Sequence, residues 1–427
     1  MSCPPPRICL QRRTVCFVVG VLLLFASTGE AKMKLPDGAV IPAIIGLGDS
    51  IIDQGMNNYI ATVVKCDFPP YGQDFAGGGM PTGRFSNGKT PPDLIAEELG
   101  IKELVPAYLD PNLQPEDLKT GVSFASGACG YDPETAEITS VIPLSQQLNY
   151  LKEYLGKLRS AYGENETKFI TDNAVFFVVA GSDDLANTYF TVGLRRLQYD
   201  INSYTDLMVE GASNFIQELY EIGARRIGVF GLPPIGCVPS QRTLGGGPGR
   251  SCSEKSNEAA KLVNSKLSAQ IDSLSKTLPN SKLVLIDIYE PALRLIQNPK
   301  QYGFEVVDRG CCGTGKIEVS ILCNKFSETC PDHDKYLFWD SYHPTEKDGV
   351  CAAVDHRKAV AGGFPFLLKV NTQTTRSIKK SPDETTEHGI ESRHVQNRQP
   401  LVSFQRWKTL VRPINDAFED CVLRHES

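Results

Sequence analysis

Beyond its N-terminal segment the chain has no apolar run long enough to cross a bilayer, so no stable membrane span is expected. It also lacks an excess of positive charge. Lys and Arg total 44 against 50 Asp and Glu, giving a net charge of −6 with no basic stripe, which argues against a nucleic-acid partner. A metal-binding signature is missing too. Cys311 and Cys312 are adjacent rather than spaced as a CxxC knuckle, and no His stands at ligand distance from them, so no metal site is expected. Histidine itself is scarce, with six in 427 residues. What remains is a chain with 41% apolar and 22% charged residues, a globular composition with room for one large domain and extras, or two ordinary domains.

The first 31 residues read as an address. Arg7, Arg12 and Arg13 precede the apolar run Val15–Ala26, and Ser27-Thr28-Gly29-Glu30-Ala31 supplies small residues for cleavage after Ala31. Those 12 apolar residues are too few to span a bilayer, so the pattern favours a secretory signal peptide over an uncleaved anchor. Cys3, Cys9 and Cys16 would leave with it. In an oxidising compartment the remaining clusters, Cys237 with Cys252 and Cys311, Cys312, Cys323 and Cys330 together, are expected to form disulfides, with connectivity left open. Asn165-Glu166-Thr167 is an N-glycosylation sequon, expected in a polar loop.

Short unbroken apolar runs alternate with helical periodicity through the middle of the chain. Strands are expected at Val40–Leu47, Val122–Ala125, Val175–Ala180, Ile227–Gly231 and Leu283–Ile288. Helices are expected at Pro91–Leu99, Leu144–Tyr162, Ser203–Ile222 and Ser256–Leu278. In the third of these, Tyr204, Leu207, Met208, Gly211, Ala212, Phe215, Ile216, Leu219 and Tyr220 share one face. Such strands between helices imply a parallel sheet buried on both faces, a doubly wound three-layer α/β/α sandwich. Functional groups in these sheets gather past the carboxyl ends of strands, where Ser50, Gly127 and Asp183 all fall. From residue 362 to 427 the sequence turns Thr-, Lys- and Glu-rich without periodicity, which reads as a poorly ordered extension. The globular domain is therefore placed at residues 32–361.

Two stretches carry chemistry. In "AIIGLGDSIIDQGMNN" an apolar run stops at Gly48-Asp49-Ser50, a pattern equally compatible with an ordinary turn. In "LFWDSYHPTEK" Asp340 and His343 are three apart, and Pro344 keeps His343 extended or in a turn. On such a loop Asp340 can hold His343 Nδ1, leaving Nε2 free as a base. A Ser after the first strand with an Asp and a His from one late loop forms a nucleophile, base and orienter set.

With both stretches in view the chain resembles the plant GDSL-type esterase/lipases of the SGNH hydrolase superfamily, from about Ile41 to about Thr345. The likeness rests on "GDSIIDQGMNN", "PTGRFSNGKTPPDLIAEELG", "GVSFASGACGYD", "GARRIGVFGLPPIGCVPS", "CCGTG" and "FWDSYHPTE". It implies a flavodoxin-like parallel sheet and hydrolysis of carboxylic esters without metal or organic cofactor. Ser50 would be the nucleophile, His343 the general base and acid, and Asp340 its orienter. The oxyanion would be held by the backbone of Ser50, a second-block Gly placed at Gly127 (or Ala128 in a shifted alignment), and a third-block Asn. The substrate would be an acyl ester in a lipid, a cutin-like polyester or an acetylated polysaccharide, met in the cell wall or apoplast. The GxSxG turn of α/β-hydrolases is absent.

The third block departs from that pattern. It reads "GSDD", with Asp183 where the family has Asn. An ionised carboxylate accepts hydrogen bonds and cannot donate one to an oxyanion. Hence two expectations stand: an esterase slowed or tuned by Asp183, or an impaired protein with a binding or vestigial role. Ser123 also replaces a usual Asn, which reads as a structural change. "GCCGTGKI" falls short of a phosphate-binding loop, because Ile317 stands where a hydroxyl is required. Arg84-Phe85 is expected to shape the rim of the site.

Overall fold

The computed structural model describes residues 40–75, 79–313, 315 and 323–349. The leader at 1–31 and the extension at 362–427 lie outside the described residues. Four strands, β1 (Ile44–Gly48), β2 (Val175–Val179), β3 (Arg226–Phe230) and β4 (Lys282–Ile286), form one parallel sheet in the order β1-β2-β3-β4. The expected strand at Val122–Ala125 runs along the open edge of β1 and pairs through a single parallel bridge, Gly46 with Ser123. Gly46 N–H donates to Val122 O, Phe124 N–H to Gly46 O and Ser126 N–H to Gly48 O, at 3.1, 2.8 and 2.9 Å. With this segment included, the spatial order in chain numbering is 2-1-3-4-5, the flavodoxin-like arrangement, and its crevice opens beside β1. A separate parallel pair joins β5 (Val306–Gly310) to β6 (Tyr336–Phe338).

Strand residues alternate between two covered faces, which explains their unbroken apolar sequence. Ile45, Leu47, Phe176, Val178, Ile227 and Val229 enter the larger core. Helices Leu144–Asn173, Ile201–Ile222 and Glu254–Thr277 cover that side. Ile44, Val175, Phe177 and Ile286 point the other way, onto Ala96 of helix Pro91–Glu98 and onto Val105. The result is the expected α/β/α sandwich.

Boundaries shifted by a few residues where local chemistry outweighs periodicity. Helix Ile201–Ile222 starts early because the Asp200 side chain accepts from Ser203 N–H at 2.8 Å. The segment expected to end at Tyr162 continues to Asn173 beyond a break at Gly163, whose φ of 82° and ψ of 170° are not helical. Asn165 is exposed and lies on this continuation, so the sequon is helical rather than in the expected polar loop. The sequence left three disulfides unpaired on paper. They are Cys237–Cys252, Cys311–Cys330 and Cys312–Cys323.

Candidate active site

β1 delivers Ser50 to the sheet's crevice through a turn that only glycine permits. Gly48 has φ 140°, and a Cβ there would lie 1.8 Å from Val179 O. The buried Gln147 clamps the same residue, accepting from Gly48 N–H at 2.8 Å and donating to Gly48 O at 2.9 Å. Asp49 then donates its N–H to Val179 O and accepts from Ile51 N–H, so Ser50 opens a short 3-10 turn. As the first residue of that turn it has no carbonyl within reach of its own amide.

The late loop brings the base. His343 Nε2 lies 2.7 Å from Ser50 Oγ, across 293 residues of chain, and His343 Nδ1 lies 2.8 Å from Asp340 Oδ2. Asp340 Oδ1 also accepts from the N–H groups of Tyr342 and His343, each at 2.8 Å. Burial alone would favour the neutral acid, but the His343 charge and these hydrogen bonds win and hold the Asp340 carboxyl below its ordinary range. The loop is pinned from behind: Trp339 N–H donates to His343 O, Cys312 N–H to Trp339 O and Ser240 N–H to Ser341 O. Phe85 covers the imidazole at a ring separation of 4.9 Å, and Ser86 Oγ donates to Pro344 O. Beside Ser50 and His343 a shallow pocket is lined by Ile51, Phe85, Thr90 and Pro344.

The rim sequence does what its position suggests. Arg84 is buried, forks onto both Asp93 oxygens at 2.7 and 2.8 Å and donates to Val105 O, which leaves it no role toward an anion. Ser123 is structural, since its Oγ donates to Ile52 O at 2.7 Å.

On the opposite side the Gly127 assignment needs correction. Gly127 N–H donates to Asp53 Oδ2 at 2.9 Å, so that amide is already committed. Asp53 also accepts from Gly55 and Met56 N–H, and Asn57 Nδ2 donates to Gly127 O, which locks the first block to the second. The neighbouring Ala128, at the third position of the Ser126–Cys129 turn with φ 68°, has an amide that finds no acceptor among the described residues. Ser50 N–H is free in the same sense.

Asp183 sits past the end of β2, where the family pattern has Asn. Its Oδ1 accepts from Asn187 Nδ2 at 2.6 Å, and Tyr342 O–H donates to Asn187 Oδ1 at 3.0 Å. Burial pushes its carboxyl up to about 6, against the opposing pull of the His343 charge. Asp49 is raised well above the carboxylate range by burial and by the Asp183 charge, and its Oδ2 has no partner among the described residues. The next residue, Asp184, is a strut: it accepts from Tyr131 N–H, Asp132 N–H and Thr135 Oγ1. No group of His, Cys, Asp and Glu able to hold a metal ion occurs among the described residues.

The profile described as GDSL-like Lipase/Acylhydrolase matches residues 44–349. The chain belongs to the GDSL lipase/acylhydrolase family. It is 58% identical to the GDSL esterase/lipase EXL3 of Arabidopsis thaliana over 326 residues, which cover 76% of this chain and 89% of that protein. It is 51% identical to the GDSL esterase/lipase EXL2 of the same plant over 347 residues, 78% of this chain and 91% of that one. Relatives in this family are named as carboxylic ester hydrolases, and the GDSL-family chain described here is an ester hydrolase of that class.

Several groups at the site carry no signature in the sequence. Gln147 and Tyr71 reach it from far along the chain, and Asn187 looks like an ordinary helix residue. Asp53 and Asn57, by contrast, stand inside the first block, Phe85 and Ser86 inside the Pro81–Gly100 block, and Tyr342 beside His343.

Proposed function

We propose that the protein is a secreted serine esterase of acyl esters that works through Ser50, His343 and Asp340. The observation that carries this reading is the pair of contacts at His343, 2.7 Å to Ser50 Oγ on one nitrogen and 2.8 Å to Asp340 on the other. Ser50 Oγ bonds to the acyl carbon while its proton passes to His343 Nε2. His343 returns that proton to the leaving alkoxide, and water activated by the same nitrogen then releases the acid. Asp340 holds the tautomer and balances the imidazolium charge. The amides of Ser50 and Ala128 would face the oxyanion. The third donor is the altered one, because Asp183 can donate only while it carries a proton. The N-terminal leader pattern and three disulfides support a secreted protein. The carboxylate at 183 favours a second reading, a family fold with most turnover lost.

Hydrolysis of a short p-nitrophenyl ester separates the two readings, run beside phosphonylation of Ser50 by a fluorophosphonate probe. Turnover abolished by Ser50→Ala is expected. An inert protein whose Ser50 also ignores the probe would overturn the enzyme reading.

A further inference from the structure

Behind the Ser50–His343–Asp340 line the chain continues inward. Tyr71 O–H donates to Asp340 Oδ2 at 2.8 Å, across 269 residues, and both side chains are buried. The Tyr71 ring is wedged edge-on against Phe68 and Trp339, at ring separations of 5.5 and 6.3 Å. Cys66, a buried cysteine outside the disulfides, packs in the same cluster as Tyr71 and Trp339. A carboxylate only accepts, so Tyr71 donates to Asp340. Burial first, and the Asp340 charge second, hold both the phenol and the thiol in their protonated forms.

We propose that Tyr71, backed by Cys66, is a positioning residue that sets how strongly Asp340 engages His343. The assignment rests on the reading of these three residues as a catalytic set. Asp340 has two oxygens and four donors: Tyr342 N–H and His343 N–H on Oδ1, Tyr71 on Oδ2, and the imidazole N–H shared between them. Among the described residues Tyr71 is the one side-chain donor that competes with His343 for the carboxylate's charge. It fixes the carboxylate plane and weakens its hold on the imidazolium. Without it Asp340 would favour the charged imidazole more strongly and sit less firmly. The ionisable groups around His343 are Asp340 and Ser50 from the triad, Asp183 from the strand-end turn and Tyr342, whose ring lies 6.2 Å from the imidazole. Tyr71 and Cys66 act on it through Asp340.

Tyr71→Phe keeps the ring packing and removes only the donor. The acid limb of the kcat/KM profile for a p-nitrophenyl ester should move up by about half to one pH unit, with about tenfold lower kcat on the plateau. The low-field proton resonance of the His343–Asp340 bond should move further downfield, a readout that needs no turnover. Cys66→Ala, which leaves Tyr71 in place, should shift both readouts in the same direction by less, and it stands in if the first variant fails to fold. Unmoved limb and unmoved resonance, whatever the change in Tm, would overturn the positioning role. Loss of hydrolysis on Ser50→Ala is a separate result that tests the catalytic reading itself.

Discussion

The two sides of Ser50 are built to different standards. On the His343 side Asp340 is satisfied by four donors, Arg84 by Asp93, and the loop backbone by Trp339 and Ser240, although Trp339 Nε1, Ser341 Oγ and Asp348 Oδ1 find no partner among the described residues. On the side proposed for the oxyanion two carboxyls, Asp49 and Asp183, lie close enough to repel each other's charge, and one oxygen of Asp49 has no partner among the described residues. Burial of an unpaired charge is costly, so both carboxyls are pushed toward their neutral forms. In the proposed mechanism the nucleophile, base and orienter are all in contact, while one of the three oxyanion donors depends on protonation. Such a site can keep the first set and retune the second through residue 183, which stands past β2 and outside both the Ser50 turn and the His343 loop.

The most severe way to break the comparison is to remove its intact side. Ser50→Ala or His343→Ala should lower kcat by about 10⁴–10⁶. Initial rates of ester hydrolysis measure this, and residual turnover within tenfold of the parent would place the chemistry elsewhere. Scaffold loss comes next. Arg84→Ala leaves Asp93 buried without its partner, and destabilisation of about 3–5 kcal/mol is expected. A thermal melt showing no decrease in Tm would mean that the rim is not braced by this pair.

Changing the altered side should do the reverse. Asp183→Asn restores a permanent donor and is expected to raise turnover by about 10² at pH 8, the size of one oxyanion contact. The sign with pH follows from the Asp183 carboxyl at about 6. Below that value the parent carries a proton at 183 and can donate, so the gain of the variant shrinks. Above it the parent is ionised and the gain is full. The readout is the ratio of the two proteins' kcat at each pH. A ratio that is flat from pH 5 to 8, or below one, would remove Asp183 from the oxyanion hole.

How much of this was legible depends on the range over which each feature is encoded. The strands could be read because burial on both faces leaves runs such as Val175–Val179 without polar interruption. Ser50 taken alone reads as an ordinary turn residue; the family likeness, together with the Asp340–His343 spacing before Pro344, is what singled the three out. Ala128 was the harder case. Sequence offers both Gly127 and Ala128, and only the Asp53 contact shows which amide is spent. Tyr71 and Gln147 were invisible, since each meets its partner through folding alone, 269 and 99 residues away. Disulfide connectivity failed for the same reason. The break at Gly163 was misread as a helix end, because a single glycine does not reveal whether the helix resumes.

The smallest change sharpens the comparison most finely. Asp49→Asn keeps the acceptor for Ile51 N–H and removes only the carboxyl's capacity to ionise. In the folded protein that carboxyl holds its proton well above the ordinary range, whereas in the unfolded chain it ionises near its usual value of about 4. The parent is therefore progressively penalised as pH rises through that window, because folding must keep a proton the unfolded state would release. The variant escapes the penalty. Its Tm should match the parent near pH 4 and exceed it by about 2–4 °C at pH 7, with ester turnover changed less than threefold. Equal melting temperatures across that range would mean that Asp49 ionises freely in the folded protein. The oxyanion side would then be no less well satisfied than the side that holds His343.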